Sequence, residues 1–205
     1  MKKIFLFCAL VLVGSTLDGR VLWAQTIESP FDPHLQYSAD VVITTEAGLK
    51  MHELYSDNGK VRLETNATGN SVARLLRPDL QKFYFLVMKQ KAVVELPYAP
   101  DEFRNEILVV AGAHGQFQEV GPDRMEGVNC IKYKGTAGAD RKAYLVWVDA
   151  ATKAPVKIMA EDGTFSMVWR NYKSGPQAAS LFEPPADFKP MAPTTASGKA
   201  PGTGK

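Results

Sequence analysis

Cysteine and histidine are scarce in this chain of 205 residues, which has two cysteines and three histidines. His34, His52 and His114 are far apart, and none has a second metal-ligand residue two to four positions later in a cluster. A metal centre needs several ligands held together, so packed or surface histidines are expected and no metal. So few cysteines also exclude a disulfide-rich scaffold, which leaves the hydrophobic core to stabilise the fold.

Sequence motifs of the common catalytic classes are missing as well. No Gly-x-Ser-x-Gly turn is present, and no glycine-rich phosphate loop precedes a helix. The acidic pairs Asp101-Glu102 and Glu161-Asp162 stand at a predicted helix start and in a predicted turn, where carboxylates need no catalytic role. Cys130 lies mid-strand, which predicts a buried, inert thiol. We therefore expect no enzymatic activity and no cofactor; a hydrolase or redox enzyme using Cys130 or a histidine is the alternative.

Only one long uncharged apolar run is present, from Ile4 to Leu17. Lys2 and Lys3 precede it and Ala24 follows it, an order typical of a secretory signal peptide. The run is shorter than the roughly 20 residues that a membrane-spanning helix needs. We therefore expect residues 1–24 to be removed on export to the periplasm, leaving no membrane span; a retained anchor is the alternative.

The net charge of the chain is small, and most of it belongs to this N-terminal segment. Without residues 1–24 the formal charge of +2 falls to 0, which gives no indication of binding to nucleic acid. Cys8 leaves with the segment, so Cys130 becomes the single cysteine of the mature chain. An internal disulfide is thereby excluded.

Short segments rich in Val, Ile, Tyr, Phe and Thr recur from Tyr37 to Tyr172 and are separated by turn residues. This pattern is typical of antiparallel β-structure. Asn58-Gly59 is the strongest hairpin signal, because both residues tolerate the positive φ angles of a tight turn. A further turn is predicted at Gly121-Pro122-Asp123.

Two segments, Phe83–Met88 and Tyr144–Val148, are apolar at every position. A strand that is apolar on both faces has to be covered on both faces. The chain has no alternation of strands and helices, and one interior helical pattern is present, from Asp101 to Val110. We therefore predict a mainly β (α+β) fold, with one large curved antiparallel sheet of about 9–11 strands that wraps one or two short helices.

The mature chain is interpreted as one domain over residues 25–191. Its last part, Gly175–Met191, is predicted to be an irregular segment that packs against the sheet. Residues 192–205 contain only Pro, Thr, Ser, Gly, Ala and Lys, with no large apolar side chain. This composition predicts a disordered tail.

Four stretches taken together resemble a known group of proteins. They are ARLLRPDLQKFYFLVMKQKAVVELP (73–97), EGVNCIKYKG (126–135), AYLVWVDAATKAPVKI (143–158) and GPQAASLFEPPADFKPM (175–191). Their order and spacing resemble the periplasmic outer-membrane lipoprotein-carrier and sorting superfamily, which is LolA/LolB-like, and within it the uncharacterised DUF4412 branch. The resemblance implies an incomplete β-barrel with short helices on its concave side and an apolar cavity that accepts lipoprotein acyl chains or a lipidic signal.

Apolar side chains exceed what one sheet face needs, and this excess supplies the candidate ligand-binding residues. Those predicted to line the apolar cavity are Val61, Leu63, Phe83, Phe85, Val87, Met88, Trp147, Phe165, Met167 and Trp169. The inward arginine of the carriers could match only Arg62, although its alternation with Val61 and Leu63 leaves open that it lies on a wet face. About 0.8 kcal/mol per buried methylene is enough to bind an acyl chain without a polar site.

The sequence thus predicts a periplasmic or outer-membrane-associated protein that binds a lipid, a lipoprotein acyl chain or another apolar ligand as a carrier, chaperone or sensor. An envelope protein is a further candidate partner. A non-enzymatic structural or protein-interaction module with a filled core is the alternative.

Overall fold

The computed structural model describes residues 26–65, 71–98, 115–137 and 141–192, and over these ranges the chain forms thirteen strands. They are β1 Thr26–Ile27, β2 Tyr37–Thr45, β3 Gly48–Asp57, β4 Lys60–Thr65, β5 Val72–Arg77, β6 Lys82–Val87, β7 Ala92–Pro97, β8 Gly115–Met125, β9 Val128–Ala137, β10 Lys142–Asp149, β11 Pro155–Ala160, β12 Phe165–Ser174 and β13 Lys189–Pro190. Short 3-10 helices lie at Pro78–Leu80, Met88–Gln90 and Ala179–Phe182.

All thirteen strands belong to one sheet, in the order β1-β8-β9-β10-β11-β12-β2-β3-β4-β5-β6-β7-β13. Neighbouring strands are antiparallel, except that β13 runs parallel to β7. The two ends of this order, β1 and β13, are not paired with each other, so the sheet is unclosed. The predicted mainly β fold with an incomplete antiparallel barrel is therefore confirmed.

Tight turns connect most of the antiparallel neighbours. Asn58 and Gly59 have φ angles of 50° and 83° between β3 and β4, which confirms the predicted hairpin. The turn predicted at Gly121-Pro122-Asp123 is wrong, because these residues lie within β8 and the turn falls at Glu126-Gly127. β1 pairs with β8 only at Phe117 and Gln118, so within the described residues no strand pairs with this edge of β8 at Pro122, which has no N–H to donate.

One face of the sheet carries the largest cluster of buried side chains, which extends from β8 across the sheet to β6. Tyr144 of β10 meets Phe165 of β12 edge to face, with 6.3 Å between ring centroids, although β11 lies between their strands. Side chains from separated strands meet in this way where the sheet curves around them. We call this the inner face, and directly paired residues of neighbouring strands share it.

The opposite, outer face carries two smaller buried clusters. One lies on β5 and β6 and includes Leu75 and Leu86, and the other lies on β9, β10 and β11. Residues 175–192, which we call the C-terminal segment, pack on β4 and β5 and bury Phe182 to 1% exposure. The predicted packing of this segment on the sheet is therefore present. Strands β6 and β10 are apolar on both faces because each contributes side chains to a buried cluster on either face of the sheet.

Several sequence predictions fall on other parts of the chain. The signal peptide over residues 1–24, the helix from Asp101 to Val110 and the tail from residue 193 onward lie outside the described residues. Over the described ranges, the structure contains no helix that is long and apolar enough to cross a membrane.

Candidate functional site

Most of the apolar residues predicted to bind a ligand lie together on the inner face. Those that belong to its buried cluster or pack against it are Val61, Leu63, Phe83, Phe85, Phe165, Met167 and Trp169. Val87 shares this face, because β6 alternates and Val87 stands two positions after Phe85, opposite Ala92 of β7. The structure thus brings residues of β4, β6 and β12 to one surface, as the sequence analysis proposed.

Met88 and Trp147 lie on the outer face instead. Met88 packs against the cluster of Leu75 and Leu86, and Trp147 packs with Cys130 and Val156. The indole Nε1 of Trp147 donates to a carboxylate oxygen of Asp123 at 2.8 Å. The ammonium groups of Lys132 and Lys157 lie 5.1 and 5.9 Å from the indole ring, within the range of a cation–π contact. Since neighbouring positions of a strand point to opposite faces, neither residue shares a surface with Phe85.

Arg62 also lies on the outer face, and it is buried there rather than wet. Its side chain forms an ion pair with Glu64 at 2.8 Å, and its Nη1 donates to the carbonyl oxygen of Leu181 at 3.1 Å. The solvent-exposed position that the alternation of β4 left open for Arg62 is wrong. The C-terminal segment covers this side chain and leaves it 7% exposed. Arg62 therefore holds two parts of the fold together.

A different arginine, Arg74, lies on the inner face. Arg74 of β5 stands directly opposite Leu63 of β4 and Phe85 of β6, both of which are inner-face residues. It is half-buried. The local sequence VARLLR does not reveal this, because apolar residues flank Arg74 on both sides and only the register with β4 sets its face.

His52 is a second polar group of the inner face that sequence reasoning missed. It follows the alternation of Leu54 on β3 and stands opposite Val41 of β2. Its Nδ1 shares a hydrogen bond of 2.8 Å with the hydroxyl of Thr65, while its Nε2 is buried and has no hydrogen-bond partner among the residues that the structure describes. Burial, together with the charges of Arg74 and Lys50, lowers the pKa of His52 to about 4. The imidazole is therefore neutral at neutral pH.

Part of the apolar inner face is accessible. Phe85, Leu96 and Tyr98 at one side of the sheet, and Ile131 and Tyr144 at the other, are half-buried and pack against the buried cluster. Aromatic side chains of this kind offer large apolar contact areas. This surface is suited to contact with an apolar ligand.

A separate groove of about 620 Å³ opens beside β2, β3 and β12, and its chemistry is different. Its lining consists of Ser38, Ala39, Asp40, Glu53, Leu54, Tyr55, Asn171, Tyr172 and Lys173. Asn171 donates to Asp40 at 2.6 Å, and the Tyr55 hydroxyl donates to Glu53 at 3.0 Å. The predicted cavity residues do not line this largely polar groove.

Cys130 is buried on the outer face, and its Sγ lies 3.4 Å from the carbonyl oxygen of Val128. Burial raises the pKa of this thiol, which disfavours the reactive thiolate. Among the residues that the structure describes, no group of three or more His, Cys, Asp or Glu side chains is placed to hold a metal ion.

No family model matches the chain, and no curated protein matches it. An uncharacterised conserved protein from Thermus thermophilus shares its fold, with a TM-score of 0.58, 14% identity, and coverage of 78% of this chain and 91% of that one. MucB in complex with MucA(peri) gives a TM-score of 0.42 at 17% identity over 75% and 55% of the two chains. The lipoprotein LppX from Mycobacterium tuberculosis gives 0.35 at 11% identity over 69% and 85%. The likeness to the Thermus thermophilus protein shows that this fold has a solved counterpart, while the resemblance to the DUF4412 branch stays a prediction.

Proposed function

We propose that this protein binds the acyl chain of a lipid or lipoprotein, or another apolar ligand, on the inner face of its half-barrel. The observation that carries the proposal is the continuous apolar inner face, on which Phe85, Leu96, Tyr98 and Tyr144 stay half exposed. The role is that of a carrier, chaperone or sensor in the periplasm. The sequence resemblance to the lipoprotein-carrier superfamily and its DUF4412 branch supports this proposal.

The energetics of such binding come from apolar burial. Each methylene that leaves water for an apolar surface contributes about 0.8 kcal/mol, so an acyl chain of moderate length binds reversibly. An unclosed sheet suits a long chain because its two end strands do not seal the inner face. A binding role of this kind needs no catalytic group, and we propose that the protein is not an enzyme.

The proposal is tested by ligand binding on a matched pair of variants. Phe85→Gln alters the half-buried inner face, while Met51→Gln alters a side chain that is 63% exposed on the outer face. Lipids that copurify with the protein are identified by mass spectrometry, and a fluorescent fatty acid is titrated into each variant.

We expect saturable binding to the unmodified protein, about tenfold weaker binding to Phe85→Gln, and no change for Met51→Gln. Circular dichroism establishes that both variants are folded. A protein that carries no lipid and shows no saturable site would contradict the proposal and favour the interaction module with a filled core.

A further inference from the structure

The inner face of strands β2 to β7 carries positive but no negative side chains. The alternation and register place Lys50 and Arg74 on this face, while the carboxylates of these strands are all on the outer face. Those carboxylates belong to Asp40, Glu53, Asp57, Glu64 and Glu95. An otherwise apolar surface is thus selectively positive on this side of the sheet.

Arg74 differs from the arginines beside it in its partners. Arg62 and Arg77 each pair with a carboxylate, of Glu64 and Asp79, and each donates to a carbonyl oxygen of the C-terminal segment. Within the described ranges, no hydrogen bond or ion pair joins the guanidinium of Arg74 to another side chain. A half-buried guanidinium keeps its charge, so a partner that supplies oxyanion oxygens would stabilise it.

His52 adds a second group that lacks a partner on the same side. It is 6% exposed, and its Nε2 is unsatisfied although Thr65 occupies its Nδ1. Thr65 and His52 are cross-strand neighbours, and Arg74 stands on the next strand, diagonally across from Thr65. When the Thr65 hydroxyl donates to Nδ1, Nε2 carries the proton and can donate it to a ligand oxygen.

From this arrangement we infer that the inner face recognises an anionic amphiphile, whose oxyanion head binds Arg74 and His52 while its apolar chain lies against Phe85 and its neighbours. The inference rests on the proposed function and narrows its ligand class from apolar compounds to compounds with a carboxylate or phosphate end. The apolar chain of the ligand provides affinity through apolar contact, and the oxyanion head of the ligand fixes its orientation. Arg74 and Phe85 are directly paired, which places the two requirements side by side.

The test compares two ligands with the same chain and different heads, decanoate and decanol, by calorimetric titration of the purified protein. Arg74→Gln removes the inward charge, and Arg170→Gln removes a matched charge from an exposed position on the outer face of β12. We expect decanoate to bind about tenfold more tightly than decanol. Arg74→Gln should abolish that difference by weakening decanoate binding, and Arg170→Gln should leave the affinities for both ligands unchanged.

The outcomes separate this inference from the proposed function. Equal binding of the two ligands, or decanoate binding that Arg74→Gln does not weaken, overturns the inference and leaves apolar binding in place. Inorganic phosphate that competes as strongly as decanoate overturns it too, because head and chain would then not be recognised together. If neither ligand binds, the proposed function fails and the inference fails with it.

Discussion

Arg62 donates from Nη1 to the carbonyl oxygen of Leu181 over 3.1 Å, which joins strand β4 to a residue 119 positions later in the chain. Arg77 of β5 makes the equivalent contact to the carbonyl oxygen of Phe182 at 2.9 Å. Two neighbouring strands thus hold consecutive carbonyl groups of the C-terminal segment. The segment is bound by directed hydrogen bonds as well as by burial of Phe182.

Replacement of Phe182 by alanine tests this attachment. Because the ring is fully buried between the C-terminal segment and the sheet, we expect Phe182→Ala to lower the free energy of unfolding by about 3–5 kcal/mol. Urea denaturation measures the change. Leu80→Ala, at a side chain that is largely exposed, serves as the control and should cost less than about 0.5 kcal/mol. Equal effects of the two substitutions would show that the segment is not integral to the fold.

Protonation of His52 should make stability depend on pH. Its pKa is about 4 in the folded protein and near 6.5 when unfolded, so the unfolded chain takes up the proton first. The contribution of His52 to the free energy of unfolding is therefore greatest above pH 6.5, and it falls as the pH decreases from there toward 4. We expect His52→Gln to lack about 2 kcal/mol of the loss that the unmodified protein suffers between about pH 7 and about pH 4.5.

Urea denaturation of both proteins at the two pH values gives the difference directly. Carboxylates titrate in this range too, but they are common to both proteins and cancel in the comparison. Parallel pH profiles for the two proteins would contradict a buried, neutral His52.

Cys130 should be inert in the folded protein. Burial raises the pKa of its thiol, and only the thiolate attacks a disulfide reagent. We expect native protein to react with a chromogenic disulfide reagent at least about a hundredfold more slowly than protein unfolded in guanidinium chloride. A rapid reaction in the native state would instead support a redox or nucleophilic role for this residue.

Gly135 is required by a close approach between β8 and β9. A Cβ atom at this position would lie 2.5 Å from Cδ1 and 2.7 Å from Cα of Phe117, whose ring is fully buried on the inner face. We expect Gly135→Ala to cost about 1–3 kcal/mol by overpacking, measured by thermal or urea denaturation. Thr136→Ala at the next position should cost less than about 1 kcal/mol, and a variant of Gly135 that matched it would contradict the contact.

Alternation and turn chemistry predicted the mainly β fold with its curved antiparallel sheet, and the resemblance of the four stretches added the incomplete barrel. The hairpin at Asn58-Gly59 and the strand Lys60–Thr65 came directly from local residues, because turn geometry is a local property. The turn predicted at Gly121-Pro122-Asp123 was wrong for a non-local reason, since these residues stay paired with β9 and the hairpin closes only after Met125. Local patterns do not carry that information.

The same difference between local and long-range information applies to the candidate site. Phe83, Phe85 and Met167 lie together on the inner face and became candidates by their apolar character alone, whereas Arg62, the arginine considered for an inward position, lies on the outer face. What distinguishes Arg62 from Arg74 is the register of β4 with β5 and the cover supplied by the C-terminal segment. Both are long-range relationships, and a shift of one residue in register would exchange the two faces.

The short strand β13 has a consequence for association between molecules. An unclosed sheet leaves its last strand with unpaired backbone N–H and C=O groups, and such an edge can recruit a strand from another chain. Here the amides of Lys189 and Met191 donate to the carbonyls of Lys91 and Val93. The C-terminal segment thus occupies part of the β7 edge. Pro190 lies between them and has no N–H to offer. The segment that buries Phe182 thus also occupies backbone groups of β7 that could otherwise pair with a strand of another molecule.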